Sequence, residues 1–314
     1  MLGIAQTEDK VIDWLLKGDV AIQYQVYRDL LSDHREDLRN RIASEGWGFK
    51  FLSLQNDDGH WGKKFYQPKW TSTHYTLLDL KNLSISPTNS KIRKTINMLL
   101  EKEKGKDGGI NPSRTIENSD VCLSGMFLNY ASYFKANEKD LISIIDFLLS
   151  QQMKDGGFNC HSNRKGARHS SLHTTLSVLE GVLEYRINGY KYRVDQIKKA
   201  EMDSREFILQ HRFFKSDKTQ KLIKSQFLRL SYPARWYYDI LRALDYFRSA
   251  EVKYDERMQD AIDIIWKKKD KDNRWHLQSH HKGHTHFEME KVGKPSRWNT
   301  LRAMRVLKYY EINL

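Results

Sequence analysis

Asp120-Val121-Cys122 sets a carboxylate two positions ahead of one of only two cysteines in a chain of 314 residues. Both side chains are zinc ligands, and zinc takes three or four donors from Cys, His and carboxylate, with an open position where it is catalytic. Two later stretches offer the remaining donors: His173, in Ser171-Leu172-His173-Thr174-Thr175, and Cys160, in Cys160-His161. Asp120, Cys122 and His173 are therefore the expected metal set, with Cys160 as a further ligand and His74 or Asp239 in reserve; zinc is the expected cofactor. Residues two apart on a helix do not share a face, so the Asp-x-Cys pair can converge only where the helix has barely begun. Each residue also has an ordinary use: a first-turn Asp caps or meets the helix dipole, and a solitary buried Cys packs as a small hydrophobe.

Cations and aromatics cluster in the same local contexts. Arg164 and Lys165 lie on the approach to one apolar helical stretch; Arg114, Arg168, Arg235 and Arg297 likewise precede such stretches, and guanidinium forks suit phosphate or carboxylate. Trp236, Tyr237, Tyr238 and Trp298 stand beside them and could wall a cavity for an apolar substrate or a sugar, or simply fill a core. With His74, these aromatics and Arg114, Arg168, Arg235 and Arg297 form the expected substrate-binding set, and Asp120, His173 and Asp239 the expected catalytic set. A separate His-rich stretch, His276 to Glu290, could bind metal adventitiously and reads as a loop over the last helix.

A formal charge of +13 favours an anionic partner. The 53 basic residues are scattered among 40 acidic ones and no nucleic-acid motif appears. Two cysteines cannot staple a secreted framework, so a reducing cytoplasm is the expected location. No apolar run approaches the ~20 residues of a membrane span, and nothing marks a partner subunit.

The elements that must position these residues repeat. Gln55-Asn-Asp-Asp-Gly59-His-Trp61, Asp107-Gly-Gly109-Ile110 and Asp155-Gly-Gly157-Phe158 are turns whose glycines lie 50 and 48 residues apart, with degenerate copies near His211 and Trp275. Before each comes an amphipathic stretch: 10–16, 36–54, 90–103, 137–152, 196–211 and 255–268. After each comes one apolar on most faces: 72–83, 119–133, 170–185, 234–247 and 296–310, with an earlier one over 21–31. Amphipathic helices suit an outer shell and apolar ones an inner layer. The expected fold is all-α, one domain over 1–314, an (α/α)6 toroid of six inner and six outer helices. Aligned on their apolar pattern, the inner helices bring Gln25, His74, Asp120, His173, Asp239 and Asn299 into one ring.

Gln55-x-x-Asp58-Gly59-x-Trp61 and Asp155-Gly-Gly157-Phe158 resemble the repeat motifs of squalene and terpene cyclases and of protein prenyltransferase β-subunits, and the likeness covers nearly the whole chain, especially that of stand-alone bacterial squalene-cyclase-like proteins. In the prenyltransferases zinc is held by an Asp-x-Cys pair and a later His in a His-Thr context, which Asp120, Cys122 and His173-Thr174 match. The resemblance places a diphosphate-binding Arg at Arg114, with Glu117 standing where the family has Lys. The Asp-x-Asp-Asp acid of the hopene-forming cyclases is absent. The likeness implies a zinc-dependent enzyme acting on an anionic substrate such as an isoprenoid diphosphate. Lanthionine cyclases, with a Cys and a later Cys-His, are echoed by Cys122 and Cys160-His161. Two other classes remain: a carbohydrate-active toroid using Asp120 and Asp239 as acid and base, and a non-catalytic scaffold.

Overall fold

The computed structural model describes residues 10–113 and 115–312. The protein is all-α; among the described residues there are isolated β-bridges but no strand. Residues 10–16 are helical. Among the described residues thirteen further α-helices follow: α1 Val20–Leu30, α2 Glu36–Arg41, α3 Gly46–Ser53, α4 Thr73–Asn82, α5 Ser90–Lys102, α6 Val121–Tyr133 and α7 Glu138–Ser150. The chain continues with α8 Ser162–Lys165, α9 Leu172–Ile187, α10 Val194–Gln210, α11 Ile240–Ser249, α12 Gln259–Lys267 and α13 Arg297–Tyr309. No described helix is long and apolar enough to cross a membrane.

Burial alternates along the chain as the hydrophobic pattern requires. In α6 eleven of thirteen residues are buried, whereas α5, of equal length, buries Ile92, Thr95, Ile96, Leu99 and Leu100, the i, i+3, i+4, i+7, i+8 stripe of a one-sided helix. α4, α9, α11 and α13 follow α6; α7, α10 and α12 follow α5.

The Asp-Gly turns join these helices by one recurring hydrogen bond. The backbone N–H just after the turn donates to a hydroxyl in the first turn of the next buried helix. Trp61 donates to Thr73 Oγ1 at 3.0 Å, Ile110 to Ser124 Oγ at 2.9 Å, Phe158 to Thr175 Oγ1 at 2.9 Å and Trp275 to Thr300 Oγ1 at 3.0 Å. In two copies the turn's Asp carboxylate also grips the serine ahead of the helix: Ser119 N–H donates to Asp107 and Ser170 N–H to Asp155, each at 2.8 Å. A buried N–H needs a partner, so Thr or Ser at that place follows from the geometry.

Two expected elements are cut differently. The stretch 36–54 is two helices, because Gly46 has φ +58° and Asp19 reaches it. Asp19 accepts from Ala21 N–H at 2.9 Å and from Trp47 N–H at 2.8 Å, capping α1 and α3 with one carboxylate. A Cβ on Gly46 would sit 2.1 Å from its Oδ2. The stretch 234–247 becomes helical only at Ile240, since Arg235 adopts φ +57° and Asp239 is the N-cap.

The chain forms two compact units. The first comprises residues 1–54, 82–86 and 211–314, and the second 55–81 and 87–210. In the first, α13 packs on α1 and α11 around an ion-pair network. Arg305 donates to Asp245 Oδ1 at 2.7 Å and to Asp29 Oδ2 at 2.8 Å; Arg28 donates to Asp29 Oδ1 at 2.6 Å and Arg248 to Asp245 Oδ1 at 3.3 Å. Gln25 belongs here too, accepting from Arg305 at 3.2 Å. In the second unit, α6 and α9 form the tightest helix pair. Their backbones touch at glycines: a Cβ on Gly181 would lie 2.2 Å from Gly125 O.

Candidate metal centre

Asp120 is the N-cap of α6, with extended backbone (φ −89°, ψ 119°). Its carboxylate folds back over the first turn, as caps do, and Oδ1 accepts from Leu123 N–H at 3.1 Å. The same oxygen accepts from the Cys122 thiol at 3.1 Å. This resolves the spacing problem: cap and second helical residue converge although two residues inside a helix would not.

Cys160 arrives on the loop after the Gly156-Gly157-Phe158 turn. Thr174 in the first turn of α9 holds it, accepting from Cys160 N–H at 3.3 Å and donating to its Sγ at 3.4 Å. The close α6–α9 packing carries this loop to the start of α6. There Cys160 Sγ accepts from Cys122 N–H at 3.1 Å and donates to Asp120 Oδ1 at 3.2 Å. Ligand atoms of Asp120, Cys122 and Cys160 all lie within 4.8 Å of one another, and all three residues are half-buried. Both cysteines are free thiols. The hydrogen bond with Cys160, then burial, pushes the Cys122 thiol well up.

Two sulfurs and a carboxylate oxygen are a donor set that zinc takes. Around tetrahedral zinc a thiolate and a carboxylate oxygen stand ~3.6 Å apart, from bond lengths of roughly 2.3 and 2.1 Å. The observed 3.1 and 3.2 Å require a spread of only a few tenths of an ångström. Charge fits as well: two thiolates and one carboxylate against a dication leave one negative charge. Arg164 supplies the balancing cation, with Nη1 3.3 Å from Asp120 Oδ2. Arg164 is itself fixed by donating to Asn118 O at 2.8 Å.

His173 is the second residue of α9, half-buried, and lies outside this group. His74 is the second residue of α4 and fully buried, its Nδ1 3.2 Å from Tyr130 OH. Its Nε2 has no hydrogen-bond partner. Burial pushes the imidazole down to about 3, the Asp120 charge opposing, so the ring is neutral. Phe65, Tyr66, Tyr75 and Tyr130 surround it edge-on. Tyr66 was not among the expected site residues. Its hydroxyl accepts from Tyr75 OH at 3.4 Å and feels the charges of Cys122, Asp120 and Cys160, while burial, the larger effect, raises its pKa. A signal existed: Tyr66 sits in the loop before α4, the counterpart of the loop that carries Cys160 before α9.

The other expected residues are spread more widely. Arg168 is exposed in the second unit, and Arg114 lies outside the described residues. Arg235, Trp236, Tyr237, Tyr238, Asp239, Arg297 and Trp298 belong to the first unit. Asp239 caps α11, accepting from Arg242 N–H at 2.8 Å; burial raises its pKa. Tyr238 OH donates to Phe213 O at 2.6 Å, and Arg297 donates to Trp14 O at 3.1 Å. Trp236 and His281 each stack on Tyr237, with ring centroids 3.9 Å from it. The aligned ring of six polar residues is not one register: Asp120 and Asp239 are caps, His74 and His173 second residues, Asn299 the third of α13 and Gln25 the sixth of α1. The His-rich stretch holds no such ligand group among the described residues. Its His276 pairs with Asp270 at 2.9 Å, and its Glu290 receives Arg297 N–H at 2.6 Å at the start of α13.

No family model matches this chain, and no curated protein matches it.

Proposed function

We propose that the protein is a zinc-dependent enzyme on a toroid of the prenyltransferase and terpene-cyclase kind, its metal held by Asp120, Cys122 and Cys160. The observation that carries this reading is the convergence of three ligand atoms, from two separate segments, within 4.8 Å beside a charge-balancing arginine. Three protein donors leave one position open, the pattern of catalytic rather than structural zinc. Bound there, zinc would supply Lewis acidity and lower the pKa of a thiol or water nucleophile.

The chain's own residues divide the remaining work. Arg164 holds the carboxylate in its capping position and neutralises the site. The Tyr66 hydroxyl offers a hydrogen-bond donor near the ligands. The aromatic group around His74 suits an apolar substrate portion, an isoprenoid chain being the class the repeat motifs suggest, and Arg168 is the nearby-loop cation for its anionic end.

Protein purified without a His tag and loaded with zinc is expected to retain about one ion per chain after dialysis. Asp120→Ala, Cys122→Ala and Cys160→Ala should each lose most of it while keeping the helical circular-dichroism signal. Wild-type protein that retains no zinc ends this reading.

A further inference from the structure

α13 carries a second feature, independent of the metal. Trp298 and Arg302 are four residues apart, so they lie one above the other on one face of the helix. They are 2 % and 6 % exposed. Trp298 Nε1 and Arg302 Nη1 are both buried and neither has a hydrogen-bond partner. Both groups can only donate. Buried donors are almost always satisfied, and a charged one left without an acceptor is the more costly case.

The neighbouring carboxylates do not meet this demand. Asp245 forms an ion pair with Arg302, but through Nε, at 3.6 Å. Both Asp245 oxygens are already taken by Arg305, and Arg248 shares one of them. Asp239, which feels the Arg302 charge, is committed to capping α11. Asp245 is thus shared among Arg248, Arg302 and Arg305. One side of the indole is covered by Tyr232, stacked at 4.6 Å and 16°. Asn299, also on α13, is turned about 100° from Trp298 and its amide donates to the carbonyls of Leu230 and His276.

We infer that Trp298 Nε1 and Arg302 Nη1 form a buried binding site for one oxyanion group, a carboxylate or a phosphate, held between an indole N–H and a guanidinium. The anion supplies the acceptor both donors lack.

Thermal unfolding of the full-length protein in acetate, in inorganic phosphate and in chloride, at matched pH and ionic strength, tests this. A saturable rise in Tm, on the order of 2 °C over chloride, is expected with at least one of the two oxyanions. Acetate alone identifies a carboxylate site, phosphate alone a phosphate site, and both a site for either group. Trp298→Phe keeps the ring and the Tyr232 stack but removes the N–H, and Arg302→Met removes the guanidinium. Each should abolish the rise; Trp298→Phe suffices where Arg302→Met fails to fold. No rise over chloride, or an undiminished rise in Trp298→Phe, overturns the site, the latter leaving an adventitious ion only.

Discussion

At the scale of single residues the centre depends on one oxygen. Asp120 Oδ1 caps α6 and receives both thiols, while Oδ2 faces Arg164. Asn in its place would keep the cap but remove the charge, separating the two duties. The third donor in the group is Cys160. Cys160→Ala is therefore expected to lower zinc content sharply, and His173→Ala to leave it near the wild-type value, by elemental analysis of untagged protein. Zinc lost in His173→Ala and kept in Cys160→Ala would restore the assignment drawn from the Asp-x-Cys and His-Thr motifs. That assignment was legible in part. Asp120 and Cys122 stand out as residue types and Arg164 as a cation ahead of a buried helix, but Tyr66 does not, because its role comes from a loop that reaches the cap only after folding.

At the scale of elements, a glycine contact positions the site. α6 carries Cys122 in its first turn and α9 carries Thr174, which holds Cys160; the Gly125–Gly181 approach sets their separation. Gly181→Ala puts a methyl 2.2 Å from a backbone oxygen that cannot swing away. Overpacking of this kind costs about 1–3 kcal/mol, and the expected result is both a lower denaturation midpoint and weaker zinc retention against a chelator. A variant that loses stability but not zinc affinity would show that the helices part without moving the loop. The alternation of buried and amphipathic helices was legible because it is local, written in helical periodicity and Asp-Gly turns. The break at Gly46 was not, since the side chain that fixes it, Asp19, lies 28 residues before its partner Trp47. The start of α11 at Ile240 was hidden for a similar reason: Arg235 adopts a left-handed backbone that its residue type does not announce.

At the scale of the whole molecule, acid stability should report the network of the first unit. Burial alone would raise Asp29, but Arg28 and Arg305 hold it down at about 2, and Arg305 and Arg248 likewise depress Asp245. A carboxylate depressed in the folded protein stabilises it above the unfolded value near 3.8 and loses that contribution as pH falls toward the folded value. Asp29 accounts for roughly 2 kcal/mol of this, so urea midpoints should fall steeply between about pH 4 and pH 2. Arg305→Met would leave two buried carboxylates short of a partner, a loss of about 3–5 kcal/mol at neutral pH. It should also flatten the acid dependence; an unchanged profile would place the titrating groups elsewhere.

The pairing of Arg305 with Asp29 spans 276 residues. A ribosome adding roughly 5–20 residues per second takes about 15–55 s to travel that far. For most of that interval, until Arg248 is added, α1 has been made and its Asp29 has Arg28 alone of the cations that face it in the folded protein. The second unit, contained between residues 55 and 210, is complete well before then. During synthesis, the second unit can therefore fold first, while α1 waits for α13.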